Sequence, residues 1–388
     1  MGERYMSITK VRNSNYELIR IISMFLIVLY HVIYHGQVLQ NCHNEGVKII
    51  LELLEFFTLV HVNSFILLSG YYQSTSRFKQ SKLWSIINAS LFYRIVIMGL
   101  LLSFGIITLN KVTIFREVFP ININEYWFIK CYILLYCLSP FINKGLKNLD
   151  KKSFQKLMVV MFILFSILPV MTGRLFFENN GFSLYQFVYM YIIGVYLRRY
   201  PLDKSYIFKV MSKRMYQLIL VFIFFSSLTL NYVFYKYASS LTGINTIIDE
   251  VSSYITNNAM LYNSPFVVIQ TIAYFAFFGT LSLKSKLINK LSVLTMGVYL
   301  IHDNNFVRAI IYDALKINNG PIYSYKFIIY VIIITIVIYI CCLIVEWLRQ
   351  LLFKFVYNLK ISYKIREKYY HFINSIHFVK IEESKEEV

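Results

Sequence analysis

An all-α, polytopic membrane helical bundle is what this 388-residue chain predicts, on three observations. It is 57% hydrophobic and only 15% charged, whereas soluble domains carry about 25% charged residues. Ten apolar runs follow one another, most of them near the ~20 residues that a helix needs to cross a bilayer. Lys and Arg gather in every second connection between those runs, the pattern of loops retained in the cytoplasm.

In order, the runs cover residues 17–39, 47–71, 83–109, 125–142, 157–171, 182–197, 216–235, 262–283, 291–315 and 327–348. Arg4, Lys10 and Arg12 precede the first. Arg77, Lys79 and Lys82 follow the second, and Lys144, Lys147, Lys151, Lys152 and Lys156 follow the fourth. Arg198, Arg199, Lys204, Lys209, Lys213 and Arg214 follow the sixth, and Lys284, Lys286 and Lys290 the eighth. The intervening connections are poor in positive charge and carry acids such as Glu45, Glu117, Glu178 and Asp249. Hydropathy and charge thus predict about ten transmembrane helices with both termini cytoplasmic. A membrane-embedded domain over 1–352 is followed by a cytoplasmic tail over 353–388, read as an interfacial helix and a disordered end. The longest outer connection, 236–261, is rich in Asn, Ser and Thr and reads as an ordinary solvated loop, the alternative being a cover over the outer mouth.

The formal net charge of +19 sits in these loops rather than in a basic patch interleaved with soluble aromatic elements, which excludes nucleic acid as a partner. The five cysteines form no CxxC pair and no zinc-ligand spacing, and four lie in apolar runs, where free Cys packs as a small hydrophobe. No disulfide and no metal site are expected. The first run has no small-residue cleavage site after it and reads as an uncleaved span.

The chemistry concentrates in the first run, YELIRIISMFLIVLYHVIYHG over 16–36. Ionisable groups at membrane depth are costly and usually functional. Arg20 and His31 are eleven residues apart, about three helical turns and ~16 Å along one face. That span is comparable to an extended pantetheine arm. Arg20 is suited to hold phosphate through paired donors, although arginines at helix ends also serve as interfacial anchors. His31 is suited to act as base or nucleophile, although a buried histidine can also be interhelical packing. His35, four residues on, makes an i, i+4 pair with His31, but no acidic or Cys ligand stands at a matching spacing, so the pair is not read as a metal site.

Four further segments stand out. The second run ends in NSFILLSGY over 63–71, with Ser69 and Gly70 level with Arg20. Arg94 follows Phe92 and Tyr93 in the third run. The fourth opens EYWFIKCY and ends SPFIN, and the ninth reads GVYLIHDNN over 297–305, then Arg308. Four consecutive polar residues inside a span point to a wet cavity. Asp303 beside His302 does not make a local dyad, since adjacent helical side chains diverge by about 100°.

The Arg-x10-His spacing, the Ser-Gly-Tyr end of the second run, the Trp-Phe helix and the late Tyr-Leu-Ile-His segment resemble acyltransferase family 3, the integral-membrane O-acyltransferases of bacterial polysaccharides. The resemblance spans roughly 12–350 and departs from the family in having only Arg94 where an arginine cluster is common. It implies His31 as base or acyl carrier, His302 as a second catalytic-site residue, and Arg20, Ser69, Gly70 and Arg94 around coenzyme A. It further implies acetyl-CoA as donor, with a surface polysaccharide or lipid-linked sugar as acceptor, in the bacterial plasma membrane. The competing class is a transporter or flippase of a polysaccharide precursor; such folds often show internal repeats, and none is visible here.

Overall fold

A computed structural model describes residues 12–108, 110–118, 126–172, 181–204, 210–244, 246–314 and 322–357. These are helical throughout, without a strand among them beyond one isolated bridge between Cys42 and Ile322. The helices are α1 (Ser14–His35), α2 (Glu45–Thr58), α3 (Val60–Gln73), α4 (Gln80–Ser103), α5 (Lys111–Val118), α6 (Trp127–Lys147), α7 (Lys151–Phe162) and α8 (Leu168–Thr172). They continue with α9 (Leu184–Arg199), α10 (Lys213–Ser240), α11 (Thr246–Ala259), α12 (Pro265–Gly279), α13 (Lys286–Leu291), α14 (Thr295–His302), α15 (Asn305–Ala314) and α16 (Lys326–Tyr357).

Polar residues between the apolar runs start the helices. Asn13, Asn44, Asp150, Ser183, Ser212 and Ser285 each accept a backbone N–H of the first turn of the helix that follows, satisfying amides that have no intrahelical partner. Pro265 opens α12, where its missing N–H costs nothing.

Each of the ten apolar runs carries helix. Among the described residues, six helices are long and apolar enough to cross a membrane: Ser14–His35, Glu45–Gln73, Gln80–Ser103, Lys151–Val170, Lys213–Ser240 and Lys326–Phe355. The second of these joins α2 and α3 across Leu59, and the fourth joins α7 to α8 through a π turn, Ile163–Ile167. The remaining runs are interrupted or short. Pro265–Gly279 is apolar but only 15 residues long, α6 carries Lys130 and an internal Pro140, and the ninth run is split into α14 and α15. The 236–261 connection also differs from expectation. Most of it is helix, with α10 running to Ser240 and α11 pinned beneath it by hydrogen bonds from Ser252 to the Ala238 carbonyl and from Asn231 to the Ala259 carbonyl.

Helix α1 stands between two hydrophobic cores. Tyr16, Ile19 and Leu26 enter the first, with Leu67, Phe187, Tyr191 and Phe275. Met24, Ile27, Val28, Val32 and Ile33 enter the second, with Ile86, Tyr136, Leu300 and Ile338. The outward faces of α10 and α16 are apolar and exposed, with Leu218, Phe222, Ile329 and Ile333 among them, as lipid-facing surfaces require. α3 and α9 meet backbone to backbone: a Cβ built on Gly70 would overlap the Tyr191 carbonyl, and one on Gly194 the Leu67 carbonyl. α16 has 32 residues, about 48 Å at 1.5 Å per residue, and so extends past a hydrocarbon core of ~30 Å.

Candidate active site

One face of α1 lines a cavity of about 530 Å³. Arg20, Met24, Ile27, His31 and His35 all border it, at steps of four, three, four and four residues that keep them on one stripe. Phe65, Leu68 and Ser69 of α3, Phe128 and Tyr132 of α6, and Thr295, Met296 and Tyr299 of α14 form much of the opposite wall. That wall is mostly apolar and aromatic, with the Ser69 and Thr295 hydroxyls among it.

At one end stand Arg12, Arg20 and Lys82. Arg20 does not point freely: its Nη1 donates to both carboxylate oxygens of Glu17 at 2.6 Å. Arg12 Nη1 lies 3.6 Å from the same carboxylate, and the Arg20 guanidinium sits 5.7 Å from the Tyr72 ring centroid. Glu17 is 4% exposed, so it is a buried anion that gathers two arginines at the mouth. It stands three residues before Arg20, the i, i+3 spacing at which helical side chains meet, and that signal was available in the sequence.

At the other end the helix break brings His302, Asp303 and Arg308 to α1. His31 Nδ1 lies 3.0 Å from His302 Nε2 and 3.6 Å from Asp303 Oδ1. His302 Nδ1 lies 2.6 Å from the Val298 carbonyl oxygen. A carbonyl only accepts, so His302 carries its proton on Nδ1, and in the neutral ring Nε2 is an acceptor. His31 must then donate from Nδ1. This assignment, read from the hydrogen-bond network, leaves the Nε2 lone pair of His31 for chemistry, on a side chain that is 13% exposed. The adjacent Asp303 contacts His31 across helices, although it forms no dyad with its own neighbour.

His31, His35 and Asp303 offer three ligand atoms within 4.8 Å of one another. The tertiary structure thus supplies the acidic group that the His31/His35 spacing lacks. That third position is shared with a fixed cation: Arg308 Nη1 lies 3.1 Å from Asp303 Oδ1 and 3.3 Å from His35 Nε2. The guanidinium neutralises the carboxylate, and the arrangement is suited to proton transfer at His31.

The other expected site residues separate. Ser69 borders the cavity, its hydroxyl donating to the Phe65 carbonyl at 2.9 Å and lying 3.4 Å from the Tyr132 hydroxyl. Gly70 is turned away into the contact with α9. Arg94 of α4 is 1% exposed and does not border the cavity; Lys82, in the first turn of the same helix, does. Glu52 and Glu55 of α2 are also buried, and Glu52 accepts from the Tyr232 hydroxyl at 2.8 Å.

No curated protein and no solved structure matches the chain. The family model described as an acyltransferase domain matches residues 13–347, a stretch that contains Arg20, His31, His302 and the helix break. The chain therefore belongs to acyltransferase family 3 and is a membrane acyltransferase.

Proposed function

We propose that the protein transfers an acetyl group from cytoplasmic acetyl-CoA to a hydroxyl of a cell-surface polysaccharide or its lipid-linked precursor, in the plasma membrane of a bacterium. About ten crossings with both termini in the cytoplasm complete the reading, because the loop charge alternates through all ten apolar runs. One observation carries it: a single cavity has three cationic side chains at one end and, further along the same helix face, a histidine held by a second histidine.

Arg12, Arg20 and Lys82 supply the charge-assisted hydrogen bonds that hold coenzyme A phosphates. The mostly apolar wall accepts the pantetheine arm, and ~16 Å from Arg20 to His31 along the helix matches its reach. At His31, Nε2 takes the proton of the acceptor hydroxyl as its oxygen bonds to the thioester carbonyl carbon. His302 holds the imidazole in the tautomer that leaves Nε2 unprotonated, and Asp303 faces the positive charge that forms on the ring. The carbon–sulfur bond breaks, and His31 returns the proton to the sulfur. The steps balance as acetyl-CoA plus alcohol to ester plus coenzyme A.

The test is incubation of purified protein in lipid with radiolabelled acetyl-CoA, with and without a polysaccharide fraction. Label passing to water or to sugar supports the reading. Binding of acetyl-CoA without any turnover across varied acceptors overturns it and favours transport.

A further inference from the structure

We propose that Tyr126 is a positioning residue, which sets the helix break that carries His302 and Asp303. The proposal rests on the acyl-transfer reading only for its kinetic arm.

Tyr126 stands immediately before α6 with φ 49° and ψ 55°, the left-handed region that residues other than Gly seldom adopt. Such conformations persist where the surroundings demand them. The demand is visible at the hydroxyl. Tyr126 is 5% exposed, and its hydroxyl donates to the Leu300 carbonyl oxygen at 2.6 Å. The Tyr126 hydroxyl oxygen in turn accepts from Asn304 Nδ2 at 3.1 Å.

Those two contacts are what a broken helix needs. At the end of α14 the Asn304 amide turns to the Ile301 carbonyl at 3.4 Å, not to Leu300 four residues back, so the ladder leaves the Leu300 carbonyl to another donor. A buried carbonyl requires a partner, and Tyr126 provides it. Asn304, 0% exposed, spends its other side-chain atom on the start of α15: Oδ1 accepts from the Phe306 and Val307 amides at 3.1 and 3.4 Å. One hydroxyl and one carboxamide therefore join the head of α6 to both sides of the break. Between them lie His302, bonded to His31, and Asp303, 3.6 Å from it. The Tyr126 hydroxyl bonds to the residues that flank this pair, Leu300 and Asn304. Its effect runs through the backbone on which they stand, where a displacement of ~1 Å can cost a reaction about 100-fold.

The experiment compares Tyr126→Phe with the parent in lipid nanodiscs. The ring stays, so the protein should still fold, with a modestly lower melting temperature because the buried Leu300 carbonyl loses its donor. Amide hydrogen exchange at Phe306 and Val307 should quicken, because Asn304 has lost its anchor. Turnover of acetyl-CoA should fall by about 10- to 100-fold, with the KM for acetyl-CoA within about twofold of the parent's. Adding Asn304→Ala to Tyr126→Phe should lower kcat little beyond the Asn304→Ala variant alone, since both remove one link. Exchange at Phe306 and Val307 equal to the parent's, an unchanged kcat, or fully additive losses each overturn the proposal. If the parent shows no acyl transfer, the functional reading fails by itself, and quickened or unchanged exchange still decides the role of Tyr126.

Discussion

His31 has Tyr30, His35 and His302 rings around it, a proton fixed on Nδ1 by His302, and an open Nε2. His31→Ala should leave the protein folded in the membrane and lower acylation by at least the 10²–10⁴-fold that general-base catalysis contributes. Acylation rate per folded, membrane-inserted molecule checks this, and near-normal specific activity would sink the mechanism. Arg20 has two duties that mutation can separate. It faces the cavity, and it neutralises Glu17, which is 4% exposed. Arg20→Ala should weaken coenzyme A binding tenfold or more, from the loss of a charge-assisted contact worth about 1.5–3 kcal/mol. It should also lower the melting temperature, because a buried carboxylate loses its nearest partner. Adding Glu17→Gln should restore much of the stability and none of the binding, as read by calorimetry with coenzyme A. Normal binding in Arg20→Ala would reduce Arg20 to an interfacial anchor. Glu17 and Lys82 were readable as charges at the right positions in the chain. Their convergence on one mouth was not, because it depends on α1 and α4 starting at the same end of the bundle.

The helices show the same division. Apolar runs and capping residues locate nearly every element, since both signals are local. Two features escape that logic. The ninth run breaks at Asp303 and Asn304, and the break is stabilised by Tyr126 from a segment nearly 180 positions away, with |i−j| of 174 to Leu300 and 178 to Asn304. The polar residues of 236–261 form α11, whose stability comes from hydrogen bonds to α10 rather than from its own composition. Gly70 belongs here too. Its missing side chain admits the α9 backbone, so Gly70→Ala should cost about 1–3 kcal/mol of stability by overpacking, while coenzyme A affinity per folded molecule stays unchanged. A selective loss of affinity in a normally stable Gly70→Ala protein would return Gly70 to the binding site.

Across the bundle, α1 is the shared wall of two cores, and one face of it brings Arg20 and His31 to the same cavity. A groove between two packed halves is where a long, thin ligand can lie. Reporter tags at Lys151 and Lys204 should register in the cytoplasm, and tags near Gly46 and Ser240 outside, from the alternation of loop charge. A cytoplasmic signal at Ser240 would break the ten-crossing scheme from α10 onward.

Composition, hydropathy and basic loops were sufficient for the helical membrane bundle, because they are written in short-range patterns along one chain, and the Arg20–His31 spacing with the Ser-Gly-Tyr and Tyr-Leu-Ile-His segments carried the resemblance to the family. The partners of His31 were not. His302 is 271 positions from His31, and its imidazole, the Asp303 carboxylate and the Arg308 guanidinium become neighbours of α1 only where a late helix breaks against it. Arg94 and Gly70 make the complementary point: their residue types fit a phosphate site, yet packing buries one and turns the other toward α9. Residue type and spacing name groups able to do chemistry, whereas the long-range packing of helices selects which of them share a cavity.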